Sequence, residues 1–526
     1  MAKSREAHLT ISTFKGMNIT DPPHVIDDRE FEVLQNGIIN DAGDFIRRKP
    51  MRVFILNPDS NTKAQILGVF YNRILWTSGD NIYLSDPDTD VGTAMTTVLV
   101  STAGEDADSA ILYNKNLYIW SAGSAPSLTA LTVSDWTVAT PTFGAATVTG
   151  TPPDDISRSV IFKDRLFAIR VSEFQSSRVY YSAVTDPGNW TGGGFFDVVP
   201  GDGDYITDII PFGERLFIFK RYSCHVLTVT GDPAGWIQKP FDKNVGALGP
   251  FCTLEYRGLL YLLSYKGLYR CDGVVLDFVG YPIQDRFTDN IQSVTSSEDR
   301  SRFMCMVDDY LFISINVGSS VSGYFFYNPV QNAWSECVFA TTQDLVGKLF
   351  RGTQGILSNG VRGTWFGTDK TSSSPNVAGP IWFGLGDMDM PSNTAYSDYS
   401  LHNATVGSRI IDPIIITIKT KMWDLGAFWR LKRNKFSTIE INVPTQEQIT
   451  DAEFTAQYKF DQDMISTFHE FRVDNNHRGT LAYKIPGVGY HRRMQLQLTT
   501  SNTLEFMITG YDITYLMKAG QGENPE

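Results

Sequence analysis

Short apolar stretches alternate with two- or three-residue polar turns along most of the chain, and one phrase recurs. An apolar strand, a turn and a second, aromatic-rich strand are predicted at Ile66–Phe70 and Ile74–Trp76 around a YNR turn. The same phrase returns at Ala110–Leu112 with Leu117–Trp120, Ser159–Phe162 with Leu166–Ile169, and Ile206–Phe212 with Leu216–Phe219. It returns again at Phe251–Tyr256 with Leu259–Leu263 and Arg302–Val307 with Tyr310–Ile315, and a degenerate copy starts near Leu345. The copies begin near 66, 110, 158, 206, 251, 302 and 345, at intervals of 43 to 51 residues. A period of about 40–50 residues with four short strands per unit is the pattern of a β-propeller. An all-β fold with about seven blades is therefore expected. Trp190, Trp236 and Trp334 each close a copy after a turn and are expected to pack between blades.

The two ends of the chain read differently. In residues 1–60, Asp27 as N-cap and Glu30 three positions on suggest a capping box. They would open a short helix with Phe31 and Leu34 on its buried side and Gly37 as its stop. Residues 370–408, rich in Ser, Gly, Asn and Pro, read as loop. From Ile410 onward the strands are longer. Phe436, Thr438, Glu440 and Asn442 alternate with Ser437, Ile439, Ile441 and Val443, which is the period of a half-buried strand. The expected organisation is an N-terminal platform segment (1–60), a propeller (61–390), a linker (391–408), a C-terminal β platform (409–518) and a tail (519–526).

Composition narrows the function. Of 526 residues, 13% are aromatic, and the formal net charge is −13. From Met390 onward 14 Lys+Arg meet 15 Asp+Glu, so nearly all the excess acid lies earlier in the chain. That balance argues against a conventional nucleic-acid binder, which needs a basic face. Five cysteines without CxxC spacing, all in apolar settings, read as buried free thiols of a protein made in a reducing cytosol. The opening MAKSREAHLTISTFKG has no apolar core of signal-peptide length, and no apolar run reaches the ~18 residues of a membrane span.

The search for chemistry is nearly empty. There is no G-x-S-x-G, P-loop or H-E-x-x-H, so no catalytic residue, cofactor or metal is expected. The run PGDGDYITD, with Asp202 and Asp204, offers oxygens of the kind calcium takes but lacks a full ligand series. Asp308 and Asp309 fall in a hairpin turn, where acids are ordinarily solvated. Basic residues cluster at Arg47 and Arg48, at Arg430, Lys432 and Arg433, and at Arg492 and Arg493. On a sheet face they would suit an acidic partner.

Both ends also resemble a known family. The opening FKGMNITDPPHVIDDREFEVLQNGIINDAGDFIRRKP is similar to the start of tail hub or nozzle proteins of short-tailed bacteriophages, the packaged-DNA-stabilisation group. RLKRNKFSTIEINV, AQYKFDQDMISTFHEF, RGTLAYKIPGVGYHRRMQLQLTTSN and EFMITGYDITY follow the order of strands in that group. The KP at Lys49–Pro50 departs from it. The resemblance implies a structural virion protein without an active site. It would form a homohexameric ring below the portal and adaptor, assembled in the host cytoplasm, with tail fibres or spikes as neighbours. Both chain ends would build a β-barrel or sandwich platform, and genomic duplex DNA would pass without specific binding. Arg47, Arg48, Arg430, Lys432, Arg433, Arg492 and Arg493 would be the adaptor-docking patch, and Asp202, Asp204, Asp308 and Asp309 would face the lumen. Two other readings are a receptor-binding or baseplate protein and a glycan-binding or glycan-hydrolysing propeller.

Overall fold

The computed structural model describes residues 5–49, 51–53, 64–71, 73–78, 81–85, 95–100, 107–121, 128–133, 143–153, 156–170, 177–291, 302–315, 323–339, 348–356, 362–369, 381–383, 397–401, 409–425, 432–443, 452–460, 464–465, 469–473, 479–487, 490–501 and 506–517. The recurring phrase folds as antiparallel blades, because alternating side chains place one apolar row against each neighbouring blade. Six sheets carry innermost strands Ala64–Phe70, Ala107–Tyr113, Arg158–Phe162, Ile206–Phe212, Thr253–Tyr256 and Arg302–Val307. The seventh begins with Lys348–Ile356, and these seven strands touch in chain order, the last meeting the first. The chain thus forms a seven-bladed β-propeller.

Closure is not sequential. Blade seven takes Lys348–Ile356, Arg362–Asp369 and Ile381–Phe383 from late in the propeller, and its outermost strand, Met51–Val53, from before blade one. Backbone hydrogen bonds therefore lock the ring, which otherwise rests on blade-to-blade packing. Ser397–Leu401 and Arg409–Pro413 extend the same sheet outward, so two strands, Ile381–Phe383 and Ser397–Leu401, fall inside the stretch 370–408 expected to be a loop.

The chain ends interleave in two further sheets. In one, Met507–Met517 lies between Lys432–Val443 on one edge and both Arg5–Ile11 and Phe45–Arg47 on the other. In the second, Glu30–Gln35, Ile416–Thr420, Met494–Thr500 and Ala452–Phe460 are neighbours. Gln35 then bridges to Glu336 on the outer strand of blade six, which ties this platform to the propeller. Ile439, Ile441, Ile513, Phe454, Tyr458 and Leu496 are buried in a core shared with blades four to six. Burying each such side chain contributes roughly 1.5–3 kcal/mol.

The expected helix is the strand Glu30–Gln35. The capping hydrogen bonds do form, with Asp27 N–H donating to Glu30 Oε2 and Arg29 N–H to Asp27 Oδ1, but they close a turn that leads into the strand. Phe31 and Leu34 are buried as expected. A β-bulge between Phe31 and Val33 lets residues three apart share a face, which imitates helical spacing.

Candidate functional site

Three groups of ionisable side chains in the propeller bear on the candidate site. The first lies on the innermost strands. Ser109 Oγ and Ser159 Oγ join blades two and three at 2.9 Å. Asp208, fully buried at a bulge, meets the Arg158 guanidinium at 3.2 Å and accepts from Thr253 N–H at 3.1 Å and Thr253 Oγ1 at 2.8 Å, joining blades three, four and five. Burial pushes the Asp208 carboxyl above its usual range, against the pull of Arg158. Phe251, at φ +63°, has the guanidinium of Arg158 4.3 Å and that of Arg351 3.9 Å from its ring centre.

The second setting is the connection from blade three to blade four. Lys220 ends the apolar strand Arg215–Lys220, and its side chain is wholly buried. Its ammonium donates to both oxygens of Asp202 at 2.7 Å and to the Val199 carbonyl at 3.0 Å, with Ser177 Oγ at 3.3 Å and the Asp204 carbonyl at 3.4 Å. The loop considered for calcium thus encloses a cation supplied by the chain itself. Burial raises the Asp202 carboxyl, but the hydrogen bonds from Lys220 and from the Asp204 N–H outweigh it and hold it below its usual range. Asp204 accepts from the N–H groups of Tyr205, Arg221 and Tyr222 and from Ser223 Oγ.

The third setting is the first hairpin turn of blade six. Asp308, at φ +52°, pairs with Lys49 at 2.6 Å. Asp309 accepts from Tyr256 Oη at 3.0 Å and lies 3.4 Å from Arg362. An innermost strand runs from a blade-to-blade connection to its hairpin, so Asp202 and Asp204 lie at the opposite end of the propeller from Asp308 and Asp309. The structure does not bring the four acids together. Each has donors of its own, so none stands as a bare negative charge.

The basic clusters divide in the same way. Arg47 is buried and donates to the Ile414 carbonyl at 2.9 Å. Arg48, fully buried, donates to Asn36 Oδ1 at 2.8 Å and to the Lys49 and Val338 carbonyls. Lys432 is fully buried and donates to the Arg492 carbonyl at 3.0 Å. These three are internal ties and not docking groups, because their side chains are buried against oxygens of the platform and, for Arg48, also against the Val338 carbonyl beyond blade six. Arg433 and Arg492 are exposed and Arg493 half-buried, while Arg430 lies outside the described residues.

Clefts open on the propeller among the described residues, and two of them bear on these side chains. One, of about 550 Å³, lies between the loop holding Asp202 and the outer strands of blade four, with Tyr222, His225 and Lys243 among its walls. The other, of about 370 Å³, is lined by Tyr180, Trp190, Phe195 and Pro152. All five cysteines are free and buried, and burial pushes the Cys224 and Cys305 thiols well above the usual range. Trp334 is buried and donates from Nε1 to the Val279 carbonyl of blade five at 3.1 Å, while Trp190 stands edge-on to Trp120 of blade two at 5.6 Å. Trp236 packs against Tyr181 and Phe196 of blade three. Among the described residues no three His, Cys, Asp or Glu side chains are grouped as metal ligands.

Sequence reasoning missed Lys220 and the Arg158–Asp208 pair. The available signal was an ionisable residue at an apolar position, in RLFIFK and ITDII.

No known family profile and no curated protein matches the chain. Among solved structures it is similar to the extracellular domain of a protein described as a hybrid two-component system from B. thetaiotaomicron, at 10% identity and TM-score 0.43, over 71% of this chain and 45% of that one. It is also similar to YCF48 bound to D1 peptide, at 8% identity and TM-score 0.38, over 66% of this chain and 97% of that one. A third likeness is to a chain of the Mitotic Checkpoint Complex, at 9% identity and TM-score 0.36, over 61% of this chain and 88% of that one.

Proposed function

We propose that the chain is a structural virion protein, a tail hub or nozzle that assembles as a hexamer below a portal–adaptor complex. In this reading it retains packaged DNA and conducts it during ejection. The observation that carries the reading is the pairing of the two chain ends into one platform, Arg5–Ile11 on Met507–Met517 and Glu30–Gln35 on Ile416–Thr420. That is the arrangement implied by the family whose opening and closing segments the sequence resembles. The platform docks on one side of a propeller, leaving the rest of the ring to project.

Charge supports the same reading. Nearly all of the net −13 lies before Met390, in the segment that contains the propeller. A conduit for DNA must not hold it: each phosphate neutralised by Lys or Arg would release counterions and bind the genome in place. A negative wall repels the duplex and lets it slide. That repulsion rests on the surplus of carboxylates across the propeller, since the four acids singled out above have donors of their own. Arg433, Arg492 and Arg493 remain as candidate contacts to an acidic adaptor surface. Quantitative mass spectrometry of purified phage particles tests the assignment. Six copies per particle are expected, and absence from the particle overturns it.

A further inference from the structure

Among the described residues the most exposed large apolar side chain is Val274, at 78%, and its neighbour Val275 is 54% exposed. Both stand at the tip of the hairpin between Gly267–Cys271 and Leu276–Phe278 of blade five, and Phe278 beside them is also exposed. Together they form an apolar knob, a feature that marks contact surfaces. The tip is rigid. Asp272 Oδ1 accepts from the Val274 and Val275 N–H groups at 2.8 and 2.9 Å, and Gly273 takes the φ of +94° that the turn needs. Asp272 and Asp277 flank the knob, both exposed, and Asp277 lies 3.4 Å from Arg270.

The larger cleft is its complement. Val199 and Tyr222, each 47% exposed, and Pro240 give it apolar walls. It is preformed, because Tyr265 holds Tyr222 edge-on at 5.1 Å and Lys220 pins the loop of Asp202. Its acids are already engaged, Asp202 by Lys220 and Asp204 by backbone N–H groups and Ser223. Lys239 and Lys243 line it, both exposed, and neither makes an ion pair with a described residue. Its available charge is therefore positive, opposite to the carboxylates beside the knob.

Within one chain the two surfaces face apart. The knob joins the third and fourth strands of its blade, so it lies at the end of the propeller that carries Asp308 and Asp309. The cleft lies at the end that carries Asp202 and Asp204. A contact between them joins one copy to the next, head to tail, and such a contact builds a ring when its rotation closes. We propose that the Val274 and Val275 knob of one copy docks in the blade-four cleft of a second copy, with Asp272 and Asp277 facing Lys239 and Lys243. The contact rests on the hexameric reading above and supplies an interface that such a ring needs.

Disulfide trapping on the full chain tests it. Val274→Cys and Lys243→Cys are made as separate variants, each adding one exposed thiol to a chain whose five native thiols are buried. Oxidised together, they should give a mixed dimer at least about tenfold more abundant than the dimer from either variant alone. Salt should slow the trapping. Asp277→Lys in the first copy should also slow it, and Lys239→Glu in the second should restore it. Val274→Asp should keep the melting temperature of the wild type and lower the oligomer mass seen by light scattering. No mixed dimer, equal dimers from the single variants, or an unchanged oligomer in Val274→Asp would each overturn the contact and assign the cleft to another occupant. Six copies per particle without this cross-link would leave the tail-hub reading standing. A specific cross-link in a chain absent from particles would remove that reading and keep the contact.

Discussion

Replacing Lys220 with Met tests whether an internal cation organises the loop between blades three and four. Met keeps most of the apolar stem and removes the ammonium. The wild-type ammonium is fully buried, with two contacts at 2.7 Å to Asp202 and one at 3.0 Å to the Val199 carbonyl. Removing one partner of a buried pair costs about 3–5 kcal/mol. The Asp202 side chain is 29% exposed and can take water in place of the lost donor, which favours the lower end, about 3 kcal/mol. At roughly 2 °C per kcal/mol for a large domain, differential scanning calorimetry should show a fall of about 6 °C. Acid provides a second check. Asp202 is held below its usual range, so its contribution is present above the unfolded-state pKa and is lost as pH falls through the folded value. The gap between wild type and variant should narrow over that acid range. A melting temperature within about 1 °C of wild type, the scale of a surface substitution, would refute the account, as would a gap that widens in acid.

Other consequences follow from single contacts. Gly16→Ala would place a Cβ 2.6 Å from Trp334 N and 2.8 Å from Trp334 O, at φ +93°, where the platform meets blade six. The strain, of order 1–3 kcal/mol before any clash, should appear as a lowered melting temperature and earlier proteolysis of the N-terminal segment. Thr253→Val removes the 2.8 Å donor to Asp208 and should cost about 1–3 kcal/mol in thermal unfolding. A melting temperature equal to wild type would show that the Thr253 hydroxyl bond to Asp208 does not stabilise the junction of blades four and five. Native protein should leave all five thiols unreacted with a thiol-specific chromophore, and all should react after unfolding. Rapid native labelling of Cys224 or Cys305 would contradict their burial.

The blades were legible because each is local. Pairs such as Leu216–Phe219 with Ile206–Phe212 are hairpins of a few residues, and period-two alternation identifies them. Blade seven was only half legible: its first strands follow the repeat, but Met51–Val53 joins it from some 300 residues away and is too short for a pattern of its own. The strand Glu30–Gln35 was hidden by its bulge, since Phe31 and Leu34 sit at helical spacing. Charge was the least legible feature. A sequence shows that Arg48 and Lys432 are basic, but burial and backbone carbonyls decide that they brace the platform. The Lys220 cage was hidden for the same reason: its oxygens come from two segments remote from it in sequence, Ser177 and the loop 199–204.

The central claim is that six copies of this chain enclose a passage. Light scattering on the purified protein, with negative-stain images of the same fraction, tests it most directly. The account predicts a mass near six times 58.8 kDa and a sixfold ring with an open centre, alone or after addition of the adaptor. A trimer, or a monomer that stays monomeric with the adaptor present, would contradict it.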